Sequence, residues 1–260
     1  MSPREKDFQL RGTLIHLALA YYYGSKLNPR PKWFEERDLF SALDERGRGC
    51  PDGIQCAKEN LELYMQAYAN DVWKPLHVEE EFAATLGELD PGGPFPEIDD
   101  EIVTCRPDLV VEAGGSAWVV DYKTAGKVWR RDGKLDRWKD DGAFALDWQV
   151  LVNLTIVRKR LARPVKGFVV ERLKREAPYD FDRHVLRIPG WAYEQTPREL
   201  RLAVKSEIDI VDALNKGILP SPSFHLCYGR YGPCDYRPIC QSDSREQALR
   251  VMNTEYVRET

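Results

Sequence analysis

The sequence lacks most of what would place it in a membrane or outside the cell. No run of about 18 apolar residues occurs, so no transmembrane helix is expected. The first residues are charged (Arg4, Glu5, Lys6, Asp7) and hold no apolar signal core, which points to a cytoplasmic protein with no membrane partner. Six cysteines in 260 residues are too few for a disulfide scaffold. A glycine-rich phosphate loop is missing, as are internal repeats and low-complexity linkers. An excess of positive charge is missing too: 38 Lys and Arg stand against 42 Asp and Glu, a formal net charge of -4. Bulk attraction does not favour nucleic acid, so any DNA contact must come from a local basic patch beside an acidic centre.

What is present is an ordinary globular composition, 43% hydrophobic and 31% charged, which argues against disorder. A chain this long can bury one large core with appendages. Leu10, Leu14, Leu17, Ala18 and Tyr21 predict an amphipathic helix over residues 7–24, ended by Gly24, Asn28, Pro29 and Pro31. A Gly-, Pro- and charge-rich loop is expected over 44–55 and a second helix over 57–73. Alternation predicts a strand near 78–86, and further strands are expected over 102–112 and 117–123, the last two joined by a Gly114-Gly115 turn. A long helix over 143–161, strands over 165–172 and 184–188, and a helix over 194–216 follow. This order predicts an α/β core with a mixed sheet. Residues 1–216 are expected to form that core with its N-terminal helical part, and 217–260 a cysteine-containing loop and tail packed on it.

The predicted hairpin carries the chemistry. Residues two apart in a strand share a face, so Asp121 and Lys123 point one way with Val119, and Tyr122 the other. Charges that close an apolar strand are costly to bury alone, and the hairpin can bring Asp108 alongside. Two carboxylates and a backbone carbonyl, that of Tyr122, suit a hard cation such as Mg²⁺ or Mn²⁺. Such an ion activates water for attack on a phosphodiester, while Lys123 orients the water or neutralises developing charge. On spacing alone, a surface ion pair at a strand end explains Asp121 and Lys123 equally well. His16, on an apolar helical face, reads by itself as a structural histidine. Glu79 and Glu81 could face the site from the preceding strand, but exposed strand glutamates are mostly solubilising, and they are left out of the catalytic set.

Taken in order, these residues resemble the PD-(D/E)XK nuclease superfamily: Pro107-Asp108 corresponds to its PD and Asp121-Tyr122-Lys123 to its D-X-K. More narrowly, the chain resembles the RecB-like branch, with its Cas4- and AddB-type exonucleases and phage relatives. Gly12-Thr13-Leu14-Ile15-His16 is similar to that branch's G-x-x-x-H helix, whose histidine joins the metal site. Gln149 stands where the branch has the glutamine of Q-x-x-x-Y. The resemblance runs from Gly12 to Cys240. Two positions depart from it: Cys105 replaces a glycine three residues before the first aspartate, which bears on packing. Asn153 replaces the tyrosine of Q-x-x-x-Y, which bears on a DNA contact. The resemblance implies a restriction-endonuclease-like core, a central mixed sheet flanked by helices. It implies a metal-dependent DNA nuclease in which His16, Asp108 and Asp121 bind metal with the Tyr122 backbone. Lys123 would assist water attack and Gln149 would position substrate or Lys123. It further implies single-strand exonuclease action in recombination, repair or phage DNA processing, with recombination or phage replication proteins as partners.

Three cysteines, Cys227, Cys234 and Cys240, cluster near the C-terminus. The resemblance implies a [4Fe–4S] cluster, which normally takes four thiolates. No cysteine precedes Gly12, so the fourth ligand is expected in a segment before residue 1, or at Cys50 or Cys56. A zinc site with His225 and unmetallated thiols stay open. Residues 127–139 hold six basic residues with Trp129 and Trp138 interleaved, a pattern suited to phosphates and unpaired bases. A site-specific endonuclease on the same core would need base-reading elements that the sequence does not show. A catalytically inactive DNA-binding or assembly module would not need Asp108, Asp121 and Lys123.

Overall fold

The computed structural model describes residues 3–35, 38–125, 145–175 and 177–218, with the short stretches 130–131, 134–135, 228–229, 232–233, 244, 246–247 and 250. Helices α1 (Pro3–Gly24), α2 (Lys32–Glu35), α3 (Leu39–Arg46) and α4 (Pro51–Ala67) come first. Strands β1 (Lys74–Val78) and β2 (Phe82–Thr85), helix α5 (Leu86–Leu89), and strands β3 (Ile102–Cys105), β4 (Leu109–Ala113) and β5 (Ser116–Ala125) follow. After two short strands, β6 (Arg130–Arg131) and β7 (Lys134–Leu135), the chain forms α6 (Trp148–Arg160), β8 (Val165–Lys174), β9 (Phe181–Val185) and α7 (Gly190–Asn215).

The central sheet has the order β1-β4-β5-β8-β9. Only β5 and β8 pair in parallel; the other neighbours are antiparallel. A parallel pair needs a long connection, and α6 lies within it. Strand β5 is hydrogen-bonded on both sides and covered on both faces, which explains its unalternating apolar run through Ala117, Val119 and Val120. Gly114 and Gly115, with φ of +59° and +76°, supply the positive angles that the tight turn between β4 and β5 requires. Helices α1 and α4 pack on one face, against Leu109, Val111, Val120, Tyr122 and Val169. Helix α6 packs on the other, against Val110, Val119, Phe168 and Val170. Each such buried side chain contributes about 1.5–3 kcal/mol. This is the expected fold class, a mixed sheet flanked by helices.

Two predicted strands are each interrupted. The one expected over 78–86 breaks after Val78, where Glu79 takes φ +49°. The one expected over 102–112 breaks at Arg106-Pro107-Asp108, where proline has no N–H for a ladder. Strands β2 and β3 pair as a separate two-stranded ladder, while β4 and β1, the latter almost wholly before the expected start at Val78, join the main sheet. The loop expected over 44–55 is instead largely the end of α3 and the start of α4. Pro51 suits a first helical turn, where its missing N–H would have no partner.

The chain divides into two compact units, Met1–Arg201 and Leu202–Thr260. The first ends on Arg201, whose side chain is fully buried. Its guanidinium donates to the carbonyls of Leu86, Asp90, Pro94 and Phe95 and pairs with Asp99, so one charge is compensated by the loop it organises. In the second unit the rest of α7 carries a Lys205–Asp209 ion pair at 2.5 Å, and Tyr228–Gly229 pairs with Gly232–Pro233. Among the described residues no helix is long and apolar enough to cross a membrane.

Candidate active site

Pairing of Leu109 with Val120 sets Asp108, just before β4, beside the end of β5. Asp108 Oδ2 accepts the backbone N–H of Tyr122 at 2.6 Å. Its own carbonyl accepts the N–H of Glu79 at 3.1 Å. His16, on α1, brings Nδ1 within 3.3 Å of Asp108 Oδ1. On the α6 side, Lys123 Nζ lies 2.7 Å from Asp121 Oδ2 and donates to Gln149 Oε1 at 3.0 Å. Gln149 Nε2 donates in turn to Asp121 Oδ1 at 3.1 Å, closing a three-membered ring. Asp147 caps α6 by accepting the Gln149 N–H, which fixes where that ring is built. The five side chains thus form two groups, His16 with Asp108 and Asp121 with Lys123 and Gln149. The Asp108–Tyr122 bond links them. The Tyr122 side chain points away and is buried, its ring 5.7 Å from that of His16.

Electrostatics mark the same spot. Burial, reinforced by Asp108, pushes the Asp121 carboxyl up to about 6. Burial and then Asp108 push Glu79 up to about 7. For His16, burial pulls downward, but the bond to Asp108 and the fields of Asp108, Asp121 and Glu79 prevail and raise it. Three carboxylates held this close disfavour one another's ionised forms unless a cation, a protonated His16 or a metal ion, joins them. His16, Glu79 and Asp108 each offer one ligand atom, all within 4.8 Å of one another. One nitrogen and two oxygens accommodate Mn²⁺ as well as Mg²⁺. Asp121 stands next to this set with its oxygens engaged by Lys123 and Gln149.

Glu79, left out of the catalytic set on its sequence pattern, joins the site in the structure. Its alternation with Glu81 looked like a solvated strand face. The strand ends at Val78, and the left-handed turn at Glu79 together with its bond to the Asp108 carbonyl brings it to the site. The neighbouring Arg106, 3.5 Å away, is its ion-pair partner.

Gly12 explains how α1 comes near enough. A Cβ there would sit 2.7 Å from Thr124 Oγ1 on β5, so with this threonine in place glycine lets the helix and strand approach. Gly12→Ala is expected to push α1 outward, move His16 off Asp108 and weaken Mn²⁺ binding about tenfold, as loss of ligand support does elsewhere. Calorimetric titration checks this, and adding Thr124→Ala should restore much of the affinity.

An open cleft of about 1240 Å³ begins at His16, Glu79 and Asp108 and runs along α1 past Leu17 and Ala20 to Trp33 and Arg46. Cys227, Cys234 and Cys240 lie outside the described residues, as do Trp129, Trp138 and most of the basic segment 127–139. Cys50 and Cys56 are buried, and Cys56 Sγ donates to the Arg175 carbonyl at 2.9 Å. The two positions that depart from the family pattern are both buried and adjoin: Cys105 Sγ lies 4.0 Å from the Asn153 carbonyl.

No curated protein matches the chain. Among solved structures, a provisionally named exonuclease from Eubacterium rectale is 13% identical with a TM-score of 0.41; the match covers 71% of this chain and 66% of that one, just under two thirds of its length. The protein SSO0001 is 14% identical with a TM-score of 0.35, over 76% of this chain and 74% of that one. The model of the PD-(D/E)XK nuclease superfamily matches residues 2–241, and the chain belongs to that superfamily.

Proposed function

We propose that the chain is a Mg²⁺- or Mn²⁺-dependent DNA nuclease of the RecB-like branch that degrades single strands from an end. The observation that carries this is the convergence of His16, Glu79 and Asp108 at one end of an open cleft, with the Asp121–Lys123 pair joined to Asp108 through the Tyr122 backbone. His16, Glu79 and Asp108 would hold the ion, with Asp121 beside them. When bound, such an ion supplies Lewis acidity and water of lowered pKa. Lys123, held between Asp121 and Gln149, presents an ammonium where a scissile phosphate gains negative charge. Gln149 keeps that ammonium and the Asp121 carboxylate in register. The place of this activity would be recombination, repair or phage DNA processing in the cytoplasm.

End-labelled single- and double-stranded DNA and a covalently closed circle, each incubated with Mn²⁺, test the reading. Loss of labelled single strand with the circle intact is expected. Discrete fragments from the circle would instead show an endonuclease. No cleavage of any substrate would leave only the binding or assembly role.

The raised carboxyls add a pH dependence. A divalent ion needs Glu79 ionised, and its carboxyl sits at about 7. From pH 8 to pH 6 the ion must displace a proton, so Mn²⁺ affinity is expected to fall about tenfold, and further below pH 6 as Asp121 titrates. Without metal the sign reverses. A carboxyl raised above its unfolded value stabilises the fold at low pH, and this is lost as pH rises through about 7. The melting temperature in EDTA should therefore fall between pH 5 and pH 8, and the increment from Mn²⁺ should grow.

A further inference from the structure

The cleft extends well past the catalytic end, and its far wall differs in chemistry. One face of α1 forms the floor: Thr13, His16, Leu17 and Ala20 fall at helical spacing along it. One turn beyond His16, about 5.4 Å, Ala20, Tyr21, Trp33 and Ala42 give the lining an apolar and aromatic stretch, bordered by the charged pair of neighbours Glu45 and Arg46. The Trp33 indole is half-buried. It is braced by the edge of Tyr21, with ring centroids 5.3 Å apart at 72°, and by Gly24, where a Cβ would meet it at 3.1 Å. Arg46 and Arg106, both exposed, also line the cleft, and Arg46 has no ion pair among the described residues.

We infer that this wall is a subsite for the unpaired bases next to the scissile phosphate, with Trp33 as the stacking surface and Arg46 and Arg106 on the flanking phosphates. The inference rests on the nuclease reading above and names the substrate form that the cleft selects. A duplex presents phosphates and sugars, which call for a charged wall. Only unpaired bases offer flat apolar faces to an indole. The net charge of -4 makes stacking the more useful, because the acidic side chains offset the attraction that Lys and Arg offer to phosphates.

Three variants decide it: Trp33→Leu, which keeps apolar packing without the indole, Trp33→Phe, and Arg46→Gln. Phe40→Ala is the control, since Phe40 is 59% exposed and lines a separate groove. Binding is read by anisotropy in Ca²⁺ with a short oligothymidylate, an abasic strand of equal length and a blunt duplex. Hydrolysis of bis(p-nitrophenyl) phosphate in Mn²⁺ reads the catalytic centre without neighbouring bases. Trp33→Leu should weaken oligothymidylate binding about tenfold while leaving abasic and duplex binding and ester hydrolysis unchanged. Trp33→Phe should restore most of the loss. Arg46→Gln should weaken the oligothymidylate and abasic strands alike and flatten the salt dependence. Wild-type affinity of Trp33→Leu for oligothymidylate, or an equal loss on the abasic strand or the duplex, would overturn the inference. A wild-type protein that cuts neither DNA nor the ester would sink the nuclease reading instead, and the binding comparison would still decide the subsite.

Discussion

Lys123→Ala is expected to lower the rate of DNA cleavage by about 10²–10³-fold, the usual loss when one preorganised donor at a developing charge is removed. The ammonium sits 2.7 Å from Asp121 Oδ2 and 3.0 Å from Gln149 Oε1, so its position is set by groups the variant leaves in place. A second effect follows. Asp121 is already lifted to about 6 by burial and by Asp108, with Lys123 pulling the other way. Without the lysine the carboxyl rises further and stays protonated to higher pH, so the variant's residual activity should have its acid limb shifted upward. Rates on end-labelled single strands between pH 6 and 9 measure both. A variant with the wild-type rate and pH profile would remove Lys123 from the chemistry.

How much of this was legible in the residues depends on the range of the signal. Strand β5 announces itself by an apolar run that stops at Asp121, and the Gly114-Gly115 turn follows from backbone sterics alone. Those local signals place Asp121 and Lys123 on one strand with Asp108 beside it; in the structure Asp108 stands in the break just before the neighbouring strand. His16 and Gln149 are another matter: each arrives from a helix that covers a different face of the sheet. Nothing in their spacing says so, and only the family pattern pointed to them. Glu79 escaped because alternation continues across 78–86 while the backbone does not, and a left-handed residue at a strand end has no periodic signature. The short helices α2 and α3, which build the far wall of the cleft, fall below the length at which periodicity can be read. Buried charges are the least legible. Arg201 and Glu171 are fully buried, yet in sequence each looks like a surface residue.

Arg183 carries the largest stability consequence. It lies on β9 and reaches into a pocket where Glu171 of β8 is fully buried, with Nε 3.0 Å from Glu171 Oε1 and Nη1 2.6 Å from Asp71. Its guanidinium also stacks over the rings of Tyr68 and Trp73, at 3.7 and 3.6 Å. Tyr64 donates to Glu171 at 2.9 Å and meets the Tyr23 hydroxyl at 2.8 Å, so α1, α4, β8 and β9 share one network. Arg183→Ala would strand a carboxylate with no counter-charge, at a cost of about 3–5 kcal/mol, or a fall in melting temperature of about 10 °C. Burial already raises the Glu171 carboxyl against the pull of Arg183, and removing the arginine raises it further. A raised carboxyl is tolerated below its unfolded pKa and penalised as pH rises, so the gap between wild type and variant should be wide at pH 8 and narrow at pH 5. Adding Glu171→Gln should recover part of the loss at pH 8. Denaturant unfolding at the two pH values reads all three; a pH-independent gap would show that lost packing on Tyr68 and Trp73, and not the stranded charge, sets the cost. The network also bears on the site, because Tyr23 and His16 are seven residues apart on α1 and share a face. Loosening the Tyr23 end frees the helix that carries His16, so Arg183→Ala should weaken Mn²⁺ binding although no atom of Arg183 contacts the metal-binding residues.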